Sequence, residues 1–118
     1  MFGIGGNGGE PLNISCAEAQ RRLQQGATLI DVREHPEVAR GMVPGSVHLP
    51  LAALGGDPAA ALRRAGIEPG LQEVLCICAS GGRSQMAAHA LRQAGARAAS
   101  VIGGVAAWAA SGLPFGPR

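Results

Sequence analysis

Val74-Leu75-Cys76-Ile77-Cys78-Ala79-Ser80-Gly81-Gly82-Arg83-Ser84 is the stretch that decides the fold. An apolar run rich in branched residues stops at Cys78, two glycines follow, and a helical pattern begins at Arg83 or Ser84. That order reads as a buried strand, a tight loop and the first turn of a helix. Gly81 and Gly82 let the backbone curl without a Cβ clash, so several N–H groups converge on one point. The first N–H groups of the helix, at the positive end of its dipole, aim at the same point. Cys78 stands at the mouth of this cradle with Arg83 close by in sequence. Such surroundings favour a thiolate over a thiol. Cys78 is therefore the candidate nucleophile. It faces an anion-binding loop made of Ala79, Ser80, Gly81, Gly82, Arg83 and Ser84.

Outward from this loop, three further short strands are expected at Thr28 to Val32, Ser46 to Leu49 and Ala98 to Ile102. Ser15-Cys16-Ala17-Glu18 has the form of a capping box opening a helix from Cys16 to Gln25, with Gly26 as its stop. His35 to Arg40 starts a turn or short helix with Pro36 suited to its first position, and Asp57-Pro58 caps another that ends at Gly66. Ala87, Ala90, Leu91 and Ala94 recur at helical spacing over Ser84 to Ala94. Gly103-Gly104 is a tight turn before a short helix bearing Trp108, a core residue. Strands alternating with helices argue for an α/β fold with a mostly parallel sheet covered on both faces. Ligands in such folds sit beyond the carboxyl ends of the strands, where Cys78, Asp31 and Gly103 fall. Asp31 and Arg33 are read as supporting residues that hold neighbouring loops by ion pairs and hydrogen bonds.

Composition narrows the class. The 118 residues suit one domain, and 47% hydrophobic against 15% charged residues suits a packed globule. The net charge of +2 is small and the arginines are scattered, so neither nucleic acid nor a membrane surface is indicated as a partner. Three cysteines, without a disulfide-scaffold pattern, point to a reducing compartment. No signal peptide and no bilayer-spanning run is recognised, and the cytoplasm is the expected location. Residues 1–12 are expected to form a glycine-rich tail, 13–114 the domain, and 115–118 a C-terminal tail. Gly3 to Gly8 matches G-x-G-x-x-G formally, but no strand precedes it and no helix follows. Cys16 reads as a small residue at a helix start and Cys76 as a buried structural thiol, although Cys76 shares a strand face with Cys78. His48 reads as structural and His89 as solvated.

Cys78 to Ser84, together with two other stretches, resembles the rhodanese (sulfurtransferase) family. One is Leu29-Ile30-Asp31-Val32-Arg33-Glu34 running on to Gly41-Met42-Val43-Pro44-Gly45-Ser46-Val47; the other is Val101 to Trp108, before Gly112-Leu113-Pro114. The likeness spans Asn13 to Pro114 in the family's order. It implies a single-domain, rhodanese-like fold with a five-stranded sheet. It also implies a sulfurtransferase that needs no metal or organic cofactor: Cys78 takes the outer sulfur of thiosulfate or a persulfide and passes it to cyanide or a thiol. The family usually carries His where this chain has Met42. Related folds with phosphatase activity place five residues between Cys and Arg, whereas four separate Cys78 from Arg83, which favours sulfur transfer. Thiosulfate-using members often have basic residues after the cysteine. Here Ala79 and Ser80 are uncharged, which leaves Arg83 alone to attract a dianion. The alternatives are a persulfide carrier serving an acceptor protein with little thiosulfate turnover, and an inactive scaffold.

Overall fold

The computed structural model describes residues 9–117; the stretch 1–8, with the fingerprint-like Gly3 to Gly8, and Arg118 lie outside the described residues. Five strands, β1 (Asn13–Ile14), β2 (Thr28–Asp31), β3 (Val47–His48), β4 (Val74–Ile77) and β5 (Ala98–Val101), form one sheet in the order β1-β5-β4-β2-β3. Every pairing is parallel. Four strands coincide with those expected from the sequence, each shorter by one or two residues. The fifth, β1, is too short for a period to register in sequence. It becomes a strand only because Asn13 and Ile14 pair with Ser100 and Val101.

The helices are α1 (Cys16–Gln24), α2 (His35–Ala39), α3 (Pro58–Arg64), α4 (Gly82–Gln93) and α5 (Gly104–Ala110), with a 3-10 turn at Leu51–Leu54. Ser15 Oγ accepts from Glu18 N at 3.0 Å, and Asp57 Oδ1 from Ala60 N at 3.0 Å, so both expected caps form. The reciprocal half of the Ser15 capping box does not. Glu18 instead takes Arg22 Nε at 2.7 Å and the Arg21 guanidinium, because charged donors three and four residues on outcompete a neutral N–H. Helix α4 begins at Gly82, ahead of the Arg83 or Ser84 start expected.

Side chains alternate across the sheet with period two, and each face carries its own core. Ile30, Cys76 and Ala98 pack with Leu62, Ala87 and Leu91. Leu29, Leu75, Ile77, Ala99 and Val101 pack with Ala19 and Trp108 on the other face. Central β4 is buried along its whole length, as an apolar run between two helical layers requires.

Both tails differ from expectation where they are described. Arg92, in the last turn of α4, donates to Glu10 O at 2.9 Å and Pro11 O at 2.7 Å, and Ser100 N donates to Leu12 O. At the other end, Met42 and Gly116 exchange backbone hydrogen bonds, and Arg33 lies 5.9 Å from the centre of the Phe115 ring. Half-buried Arg92 and the Met42 backbone capture segments that composition alone marks as tails.

Candidate active site

β4 delivers Cys78 to the carboxyl edge of the sheet, and the chain turns at Gly81, where φ is +120°. That left-handed turn folds the loop back over the sulfur. Gly81 N–H donates to Cys78 Sγ at 3.1 Å, Ser84 N–H at 3.4 Å, and Ser84 Oγ lies 3.4 Å away. Burial alone would push this thiol up. A hydrogen bond with the Ser84 hydroxyl and those from the Ser84, Gly81 and Ser80 amides outweigh it and hold the thiol below its ordinary pKa. Cys78 is 1% exposed, so Sγ forms the floor of the loop.

Ser84 is itself positioned. Its Oγ lies 2.7 Å from Ser100 Oγ and 3.1 Å from Gly81 O, and both serines are fully buried. The register that sets Ser100 beside Cys76 brings its hydroxyl under α4. Ser100 was not singled out by sequence, although a lone hydroxyl inside Ala98-Ala99-Ser100-Val101 is the signal that marks it.

The opposite wall comes from α5. Val105 N donates to Cys78 O at 2.7 Å and Ala106 N to Ala79 O at 3.2 Å. Gly104 makes this approach possible: a Cβ there would stand 2.2 Å from Cys78 O and 2.6 Å from the Ala79 carbonyl. The double glycine expected only to turn the chain thus also admits the loop.

Arg83 departs from expectation. Its two terminal nitrogens donate to the Glu37 carboxylate at 2.6 and 2.8 Å, so the cation assigned to attract an anion is already paired. Glu37 comes from α2, forty-six residues away in sequence, and nothing in its local pattern announces the pairing. The Arg83 hydrogen bonds hold Glu37 at a pKa of about 2. Asp31 and Arg33 lie beneath, in a buried ion pair at 2.8 Å. Arg33 also donates to Gly41 O at 2.7 Å and Glu37 O at 3.4 Å. The pair thus fastens α2 to the end of β2.

The remaining cysteines and histidines lie elsewhere. Cys76 is fully buried and its thiol pKa is raised, first by burial and then by the neighbouring Cys78. Cys16 donates its S–H to Ile102 O and is likewise raised, chiefly by burial. His48 Nε2 is 2.8 Å from Arg33 O, and His89 is exposed on α4.

Beside the loop lies a cavity of about 430 Å³ lined by Asn13, Ser80, Gln85, Ser100, Ile102 and the Gly81, Gly82 and Gly103 backbone. None of these side chains is charged. A second cavity, about 400 Å³, opens at the amino ends of the strands. Its lining is ion-paired, with Arg22 bound to Glu18 and Glu73, and it holds no cysteine, serine or histidine. No helix among the described residues is long and apolar enough to cross a membrane.

Residues 15–111 match the family model of the rhodanese-like domain. A sulfurtransferase of Allochromatium vinosum is 36% identical over 88 residues, 74% of this chain and 76% of that one. Among solved structures, a rhodanese-related protein from Thermoplasma volcanium is similar with a TM-score of 0.75 and 28% identity, over 89% of this chain and 97% of that one. A human single-domain sulfurtransferase gives a TM-score of 0.69 at 28% identity, over 86% and 97% of the two chains. With this fold and its cysteine loop, the chain belongs to the rhodanese-like domain family, which includes the sulfurtransferases it is similar to.

Proposed function

We propose that the protein is a cytoplasmic sulfurtransferase in which Cys78 takes a sulfane sulfur as a persulfide and hands it to a thiophilic acceptor. The observation that carries this is the convergence of Gly81 N–H, Ser84 N–H and Ser84 Oγ on one sulfur. In the first step the Cys78 thiolate attacks the outer sulfur of the donor. A new S–S bond forms, and the donor's old S–S bond breaks with its electron pair leaving on sulfite or a thiolate. In the second, cyanide or a thiolate attacks that sulfur and the Cys78 thiolate leaves. The same amides stabilise thiolate and persulfide anion, so neither step demands that the loop reorganise. The three cysteines are free, which suits a reducing compartment.

Thiocyanate formation from thiosulfate and cyanide tests the proposal. The wild type is expected to turn over and Cys78→Ser to be inert. Equal rates in both would overturn the assignment. A carrier passing sulfur to an acceptor protein would instead take sulfur on Cys78 and release little thiocyanate. The neutral Ala79 and Ser80 favour that second reading. Release of phosphate dependent on Cys78 would contradict both.

A further inference from the structure

We infer that Glu37 sets donor selectivity, by occupying Arg83 so that the loop accepts organic persulfides in preference to dianionic donors. This rests on the sulfur-transfer reading above and extends it to the substrate class. Two observations converge. The Arg83 guanidinium is held bidentately by Glu37 at 2.6 and 2.8 Å, so its charge is already compensated by a carboxylate. The cavity opening onto the loop is lined by Asn13, Ser80, Gln85 and Ile102, with no charged side chain.

A dianion such as thiosulfate therefore approaches the Cys78 thiolate with only main-chain amides to offset the repulsion between them. To recruit Arg83 it has to compete with a carboxylate already held in a charge-assisted, two-pronged pair. An organic persulfide carries no sulfonate on its sulfur pair. Cys78–S⁻ attacks the terminal sulfur of R–S–SH, the new S–S bond forms, and R–S⁻ departs with the electrons of the old one. The proton stays on the transferred sulfur. The organic group R then has the neutral cavity, where Asn13 and Gln85, joined by a hydrogen bond of 3.0 Å, present amide groups. Arg83 directly precedes Ser84, whose N–H lies 3.4 Å from Cys78 Sγ, so a guanidinium released from Glu37 stands beside the loop that receives the donor.

The test compares steady-state kinetics with thiosulfate and with glutathione persulfide for the wild type, Glu37→Gln and Cys78→Ser. Gln keeps the shape of Glu37 and one acceptor but leaves the Arg83 charge uncompensated. KM for thiosulfate is expected to fall on the order of tenfold in Glu37→Gln, the scale of one charge-assisted contact, with KM for the persulfide within about twofold of wild type. An unchanged thiosulfate KM, or a parallel change for both donors, would overturn the role of Glu37. Should Glu37→Gln not fold, the wild type alone decides. Its kcat/KM for the persulfide is expected to exceed that for thiosulfate by at least about tenfold, and equal or reversed values would overturn the inference. Transfer persisting in Cys78→Ser would instead remove the sulfur-transfer reading beneath it.

Discussion

At Cys78 two opposed effects act on one sulfur: burial favours the neutral thiol, and three amides with one hydroxyl favour the anion. The hydroxyl is the part most easily removed. Ser84→Ala deletes a donor to a charged group, a loss of about 1.5–3 kcal/mol, or about one to two pKa units. The thiolate reacts, so rate rises with pH through the Cys78 pKa, and that inflection is expected to move upward in Ser84→Ala. Alkylation of Cys78 by iodoacetamide across a pH series measures it; an unmoved inflection would rule Ser84 out. Ser100→Ala is expected to shift the same inflection less, because its hydroxyl reaches the sulfur only through Ser84 Oγ. Cys78, Gly81 and Ser84 were legible at this scale because chemistry and local conformation share one stretch. Ser100 was hidden, since its role depends on a partner sixteen residues away across the sheet register. Glu37 was hidden for the same reason, and the free Arg83 expected from sequence became a paired one.

Among the elements, α4 and α5 form the two walls of the loop. The loop up to Gly81 and the first turn of α4 supply the sulfur's donors; α5 fixes the carbonyls of Cys78 and Ala79 from behind. Gly104 is the hinge of that second wall, with φ of +60° and backbone atoms 2.2 and 2.6 Å from where a Cβ would stand. Gly104→Ala is expected to push α5 off the loop, costing about 1–3 kcal/mol of stability and most of the transfer activity. Thermal unfolding and thiocyanate formation measured on the same sample would check both, and wild-type values in both would refute the role. The existence of these helices was visible from spacing and caps. Their exact starts were not: Gly82 opens α4 although glycine has little helix propensity. Strand β1 escaped for a related reason: two residues carry no period, and their pairing with β5 is wholly tertiary.

Over the whole molecule, ion pairs link the site to the frame. The buried Asp31–Arg33 pair anchors α2, α2 carries Glu37, and Glu37 holds Arg83 in the loop. Arg33→Ala leaves Asp31 as an uncompensated buried charge and is expected to destabilise by about 3–5 kcal/mol, read as a lower midpoint in urea; an unchanged midpoint would contradict the linkage. Glu37 adds a pH dependence. Its folded pKa of about 2 lies below the ordinary 4.5. Its contribution is thus complete above the ordinary value and is lost as pH falls from there toward 2. The effect is at most about 1 kcal/mol, since the pair is partly exposed and screened. Thermal midpoints over that pH range should fall less steeply in Glu37→Gln than in the wild type. Alternating strands and helices made the layered sheet legible in advance, whereas the docked ends around Arg92 and Arg33 were set by tertiary hydrogen bonds that composition does not encode. The most direct measurement is peptide-mapped intact mass after mixing the protein with glutathione persulfide and, separately, with thiosulfate. One added sulfur atom on the peptide carrying Cys78, removable by cyanide and absent in Cys78→Ser, is the predicted result; added sulfur on Cys16 or Cys76, or none on any cysteine, would contradict it.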